Sequence, residues 1–434
     1  MPSPVSRSCS MPDPAATAAG SPGPPAWVLL DTLAYIGRRR NATTATAMTS
    51  GKHIIEVSFV LADPPGVSVC YVHCPGTPEG GGVDGDFDVE HEILTSTGPL
   101  VLISMDFTFC DGQDNDYFVY RAGPGPPSLH LLPRSYERSI NARKHVGILP
   151  TGGGDDGGGE HFVVVSPVLR TEPRAMYYDL HIFSSETGAW RAKAARLDAG
   201  PETSYHRVCS HRLGKAMAAG AGSLAWFDPW HGVLLCDNVL GEDPLVRLIQ
   251  LPSPPPPRNV PIDGREVRDA TVSSDGVITF VEVKFHNDGD NSDDEVYDAV
   301  AADHGWTATI WDRAICSGDW RKRVTVDTAD VSVAADEEES GFPGSLPAAW
   351  GGEANKPAAL RRVRSATPAL SVRADDDVVY MMYRLAAHHP KAWVLAVDAR
   401  NKTVEAHAQF DASRICWFHP TYLASAFSMY LHQH

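Results

Sequence analysis

The chain breaks its apolar residues into short runs, and that punctuation limits what it can become. Ile54–Leu61, Val67–His73, Leu100–Phe109 and Tyr117–Arg121 are separated by Gly, Pro, Asn and Asp. The pattern continues through Phe162–Leu169, Tyr177–Phe183, Gly232–Cys236, Leu245–Leu251, Gly276–Phe285, Thr307–Trp311 and Val378–Tyr383. Their length, β-branched and aromatic content and frequent alternation mark strands. "SSDG" at Ser273–Gly276 joins two runs as a hairpin turn, because Asp-Gly adopts positive φ at little cost. Helical patterning is confined to Gly214–Ala221 and a short element near Thr421–Leu431. The expected fold class is mainly β.

The segments "GTPEGGGVDGD", "GPGPP", "TGGGDDGGGE", "PSPPPPR" and "ADEEESGFPGS" read as flexible or extended connectors. Strands continue on both sides of each, so residues 26–434 are expected to form a single β-rich domain behind a tail at 1–25. A weak internal echo agrees. "LHIFSSETGAW" ends at Trp190, "IWDRAICSGDW" at Trp320 and "VVYMMYRLAAHHPKAW" at Trp393, each followed by a strand and an aspartate. Each copy reads as the inner hairpin of a propeller blade, with the tryptophan packed between neighbouring sheets. About 400 folded residues at roughly 40–60 per blade would make six to eight blades. A β-propeller is the expected architecture, with a pair of β-sandwiches as the alternative.

Of the 434 residues, 43% are hydrophobic, enough to build a core. Lys and Arg number 37 against 54 Asp and Glu, a net charge of −17 that repels phosphate backbones. The short basic stretches, Arg38–Arg40 and Arg361, Arg362 and Arg364, read as solvated loop arginines, so no nucleic-acid partner is expected. No apolar stretch approaches a membrane span, and no membrane association is expected. The first 25 residues lack the apolar centre of a secretory signal and read as a disordered tail, an organelle transit peptide being the lesser alternative. Eight scattered cysteines suggest reduced thiols and an intracellular setting, cytoplasm or nucleus. Asn41-Ala42-Thr43 fits the glycosylation pattern only by chance.

The local motifs for chemistry are incomplete. Gly152, Gly154 and Gly157 have dinucleotide-loop spacing, but the chain enters a strand afterwards and Asp155 and Asp156 would repel phosphate. Cys70 and Cys74 of "CYVHC" would lie about 13 Å apart on a strand, too far to share a zinc ion or a disulfide. His206, Cys209 and His211 are the nearest approach to a metal cluster, and they read as polar connector residues because nothing nominates a fourth ligand. The acidic loops Asp111–Asp116 and Asn287–Glu295 fail the EF-hand pattern. Counted from Asp288, the glycine and glutamate positions hold Asp293 and Ala299. His388 and His389 precede Pro390 in an apparent turn. No metal or other cofactor is expected, and no catalytic set is selected.

"LAWFDPWHGVLLCD" reads as two strands around a turn, with Gly232 relaxing the backbone. Trp226 and Trp230 are expected to pack, Asp228 to accept turn hydrogen bonds, and His231 to lie partly exposed. These four residues are also the weak candidates for a binding site.

The stretch "WFDPWHGVLLCDNVLGEDPLVRLIQLPSP", followed by "REVRDATVSSDGVITFVEV", resembles the signature of the plant family catalogued as domain of unknown function 1618, expanded in grasses. "PAWVLLDTLAYI", "NATTA", "ADPPGVSVCYVHCPG", "SSETGAW" and "WVLAVDARNKTV" extend the resemblance over most of the chain beyond the tail, with the signature at about 224–290. Members often carry a basic residue before the glycine, where this chain has His231. The resemblance implies a plant origin and a propeller-like fold similar to kelch-type and F-box-associated repeats. It transfers no catalytic residue, and no F-box-like helical region is present. The expected role is a non-enzymatic scaffold with a protein partner. A hydrolase, or a glycan- or small-molecule-binding propeller with a central site, is the alternative.

Overall fold

The computed structural model describes residues 23–74, 91–109, 112–123, 125–134, 146–152, 161–172, 175–198, 200, 205–220, 222–254, 264–286, 305–316, 318–333, 366–373, 376–384, 391–412 and 421–432. The tail at 1–22, the glycine-rich stretch 153–160, the acidic stretch Asn287–Glu295, Arg361, Arg362 and Arg364, and His388 and His389 lie outside them.

The chain is mainly β, as the short apolar runs predict. It opens with β1 (Val28–Asp31), β2 (Tyr35–Ile36), β3 (Ala45–Met48), β4 (Ile54–Val60) and β5 (Val67–His73), where β5 pairs parallel to β1 and β2. A four-stranded antiparallel meander follows: β6 (Glu92–Thr97), β7 (Leu100–Phe109), β8 (Gly112–Arg121) and β9 (Ser128–Leu131). Next come β10 (Gly147–Thr151), β11 (His161–Glu172), β12 (Ala175–Ser184) and β13 (Ala189–Leu197). A single turn and a half of helix, α1 (Tyr205–Ser210), leads into β14 (Lys215–Ala218), β15 (Leu224–Asp228), β16 (Gly232–Asp237) and β17 (Leu245–Ile249). A two-residue parallel contact between β13 and β17 joins these two meanders into one eight-stranded sheet. Its end strands β10 and β14 also lie against each other, so the sheet curls toward a closed barrel.

The remaining strands are β18 (Arg268–Val272), β19 (Val277–Phe285), β20 (Trp306–Ala314) and β21 (Arg321–Asp327), then β22 (Ser332–Val333), β23 (Ala369–Leu370), β24 (Val378–Arg384), β25 (Lys391–Asp398) and β26 (Thr403–Asp411). Finally β27 (Tyr422–Ser425) returns to the start of the chain and pairs antiparallel with β1, Val28 opposite Ser425 and Asp31 opposite Tyr422. The first sheet is therefore completed by the last strand.

Most central strands are apolar on both faces, and the two faces serve different cores. In β7, Val101 and Ile103 pack toward the first sheet while Leu100 and Leu102 pack toward β10–β12. In β16, Leu234 and Cys236 face β10–β13, and Val233 and Leu235 face β18–β19. In β19, Ile278 and Phe280 face β14–β17, and Val281 and Val283 face β23–β25. In β24, Val379 and Met381 face β19–β21, whereas Tyr380 and Met382 meet Trp27 and Leu29 of the first sheet. The apolar layers thus link successive sheets in chain order and return to the beginning. The strands β6, β10, β14, β18, β23 and β27 lie each beside the next, with β27 beside β6 again.

Two of the three tryptophan echoes are structurally equivalent. Trp190 opens β13, and its indole N–H donates to the Pro133 carbonyl just past β9 at 2.8 Å. Trp320 precedes β21 and donates to the Gln250 carbonyl just past β17 at 2.7 Å. Both therefore tie a fourth strand to the exit of the preceding meander. These hairpins are the outer ones, β12–β13 and β20–β21, rather than the inner ones expected. Trp393 lies on β25, one strand out of phase, packed among Leu395 and Tyr383. The helical expectation for Gly214–Ala221 is also corrected. Lys215–Ala218 pairs residue for residue with Leu224–Phe227, and ladder bonds override the helix propensity of alanine. Near the C-terminus, Tyr422–Ser425 is strand and only Phe427–His432 is helical, as a 3-10 segment.

Deleting residues 421–434 should abolish cooperative folding rather than trim stability, because β1 loses its antiparallel partner, keeping only the two-residue pairing with β5, and Phe427 leaves the core of the first two sheets. A thermal melt followed by near-ultraviolet circular dichroism checks this. Replacing Trp320 with Phe keeps an aromatic ring, though a smaller one, and removes the indole N–H bond, and should cost about 1 kcal/mol or somewhat more by denaturant titration.

Candidate functional site

The signature turn is built around one buried carboxylate. Asp228 ends β15, and its Oδ1 accepts the backbone N–H of Trp230 at 2.8 Å and of His231 at 3.1 Å. Its Oδ2 accepts the N–H of Arg212 at 2.6 Å and the Nδ1–H of His231 at 2.9 Å. Four donors on one carboxylate fix the turn and anchor the segment after α1. Gly232 completes it at φ +125°, where a Cβ would stand 2.3 Å from the Ile249 carbonyl oxygen.

Trp226 is 1% exposed and belongs to the core between β10–β13 and β14–β17, so it offers no platform to a ligand. Trp230 is half-buried, and the Arg268 guanidinium lies 4.8 Å from its ring centre. Arg268 is itself buried. It donates to the Pro229 carbonyl at 2.9 Å and to Ser253 at 3.0 Å, and forms an ion pair with buried Glu282. Burial lowers the pKa of its guanidinium, and the Glu282 charge opposes that shift. These contacts lock the turn onto β18 and β19.

The metal candidates join the same structure without forming a cluster. His206 and Cys209 are exposed on α1, while His211 turns inward and its Nε2–H reaches the Gly232 carbonyl at 3.1 Å. Among the described residues no group of three His, Cys, Asp or Glu could hold a metal. Sequence reasoning picked out His211 but could not see that its partner is a backbone oxygen of the signature turn. It missed Arg268, Glu282 and Ser253, which no local motif announces.

Two further polar places lie elsewhere. Where β14 and β18 begin, Lys215 pairs with Asp269 at 2.8 Å, and Asp269 also accepts the Leu370 N–H at 3.2 Å. Buried His91 and Glu92 stand where β6 begins. An open cleft of about 620 Å³ lies between the first sheet and β24–β26, with Trp27, Asp63, Arg373, Asp376, Tyr380 and Glu405 in its walls. Its residues come from opposite ends of the chain, so no spacing in the sequence could have assembled them.

Replacing Arg268 with Met should cost about 3 kcal/mol, because buried Glu282 loses its guanidinium partner and keeps only the exposed Lys284 ammonium at 3.1 Å and the Ser253 hydroxyl at 2.9 Å. Adding Glu282→Leu in the same chain should recover much of that loss. A double-mutant cycle from urea titrations measures both, and a double variant no more stable than the single one would mean that the pair is itself net stabilising.

No curated protein matches the chain in sequence. Among solved structures, a tryptophan-to-alanine mutant of Synechocystis apocarotenoid oxygenase is similar at a TM-score of 0.31 and 10% identity, over 83% of this chain and 72% of that one. A glycosyl hydrolase from Bacteroides ovatus reaches 0.24 at 9% identity, over 90% and 87%. The α-L-arabinanase of Penicillium chrysogenum, complexed with arabinobiose, reaches 0.26 at 8% identity, over 90% and 99%. Similarity this low carries no argument about chemistry. The family comparison is specific: residues 226–380, from the first tryptophan of the signature turn to the tyrosine of the cleft, match the model described as Protein of unknown function (DUF1618).

Proposed function

We propose that the chain is a β-propeller-like module of six sheet units whose role is to recognise another protein rather than to transform a substrate. The observation that carries the reading is the cyclic packing. Every unit buries one face against the unit before it and the other against the unit after it, and the last apolar layer joins β24–β26 to β1. Two β-sandwiches would leave each sheet with one solvated face. In the propeller reading the eight-stranded sheet is two units touching at their outer edges, through the short β13–β17 contact.

The connections support recognition. In an antiparallel four-stranded unit, the links between first and second and between third and fourth strands share one end, and all other links share the other end. The first group consists mostly of tight turns, such as 98–99, 185–188 and 273–276. The second group holds the long connections, 132–146, 198–214, 250–267, 286–305 and 328–368. A rigid framework that gathers its long connections at one end has the layout on which folds place recognition. The alternative, a hydrolase or a glycan- or small-molecule-binding propeller, draws its support from His91, Glu92, Lys215 and Asp269 at the ring strands.

The test is affinity capture with quantitative mass spectrometry, comparing the intact chain with a variant in which residues 287–304 and 385–390 become short Gly-Ser links. The ends are already adjacent, since the His286 N–H donates to the Gly305 carbonyl at 3.0 Å and Arg384 pairs with Ala392, so the framework should tolerate the change. A partner retained by the intact chain and by a chain lacking residues 1–22, but lost from the linked variant, is the expected result. An unchanged set of captured proteins, with the melting temperature preserved, would overturn the reading.

A further inference from the structure

We propose that the cleft between the first sheet and β24–β26 binds a guanidinium group, held by the carboxylates of Asp376 and Glu405 and the hydroxyl of Tyr380. Three features lead to this. The first is volume: about 620 Å³ suits a small ligand or a side chain with its neighbours. The second is the tyrosine. Tyr380 is only 7% exposed, its ring held edge-on against Trp27 at 5.2 Å. Its hydroxyl has no hydrogen-bond partner among the described residues, yet it stands in the field of Asp376, Glu405 and Arg373, all of which line the cleft. A tyrosine buried to this extent ordinarily spends its hydroxyl on a partner.

The third feature is charge. Among the described residues of the cleft, Asp63, Asp376 and Glu405 stand against one cation, Arg373, and Asp398 is a hydrogen-bonded neighbour of Glu405. Partial burial, the neighbouring Asp398 charge, a hydrogen bond shared with Asp398, and Asp376 raise the pKa of the Glu405 carboxyl. An anion would be repelled. A sugar would need an open aromatic face, and Trp27 is 5% exposed with Tyr380 against it. A guanidinium suits the walls better than an ammonium. It is flat, weakly hydrated, and carries five donors in a fork that can reach two carboxylates and a hydroxyl oxygen together.

The cleft opens at Asp63 and Pro64, between β4 and β5, and at Arg373 and Asp376, between β23 and β24, at the end of the sheets opposite the long connections. The inference therefore stands apart from the recognition reading. The guanidinium could belong to a polypeptide arginine or to a free small molecule, and two probes separate these sources. Agmatine and the capped tripeptide acetyl-Gly-Arg-Gly-amide are titrated into the full chain by calorimetry, with the lysine tripeptide as comparison. The variants are D376N/E405Q, Y380F, and E242Q/D275N, the last removing the same charge from exposed turns elsewhere.

At least one arginine-like probe should bind the intact chain more tightly than the lysine peptide. D376N/E405Q should weaken it about tenfold or more, with E242Q/D275N unchanged. Y380F, which alters no charge, should also weaken it. Binding of agmatine assigns a free ligand, and binding of the tripeptide alone assigns a polypeptide. The proposal falls if neither probe binds, if the control variant weakens binding as much as D376N/E405Q, or if D376N/E405Q and Y380F both bind as the intact chain does while melting at its temperature.

Discussion

A strand that is apolar on both faces can be satisfied only by packing on both sides, and that requirement organises this chain from Trp27 to Phe427. The alternation within β7, β16, β19 and β24 sends successive side chains to two different cores. No sheet can then stand alone, because an uncovered face would return a whole row of Leu, Val, Ile and Phe to water. At about 1.5–3 kcal/mol for each such side chain, one bared face outweighs the about 5–15 kcal/mol of net stability that a domain normally has. The first sheet meets the requirement by accepting β27, and the same pairing seats Phe427 against Phe59 and Tyr120.

That requirement also explains which parts of the fold were legible. Leu100–Met105 and Ile278–Val283, within the runs Leu100–Phe109 and Gly276–Phe285, carry buried apolar residues on both faces, and the sequence marks both runs as strands. The alanine-rich Lys215–Ala218 was misread, since its state is set by pairing with Leu224–Phe227 and by the reach of Lys215 to Asp269, neither of which is local. The tryptophan echo was half legible. Trp190 and Trp320 mark the same position because each indole bonds to the carbonyl that follows the preceding unit, whereas Trp393 resembles them only in being a tryptophan after a polar turn.

At the signature turn, the readable part was the part that acts over three or four residues. Asp228 as a turn acceptor and Trp226 as packing follow from residue type and spacing. Arg268 stands far along the chain from Trp230, and Glu282 farther, so the ion pair beneath the turn is set by the register of β18 against β19, where Arg268 lies opposite Glu282. The residues of that turn are the visible half of a structural lock. Its other half is supplied by the next sheet.

The cleft follows from closure in the same way. Asp63 and Trp27 come with the first sheet, and Asp376, Tyr380 and Glu405 with the last, so like charges face one another across the seam where the chain's two ends meet. Every other apolar layer joins meanders that follow one another in the chain, whereas this one joins its two ends. Carboxylates gathered there oppose the closure that the apolar layer beneath them drives. A cation held between them removes that opposition, and because the site exists only in the closed form, its binding energy adds to the stability of closure.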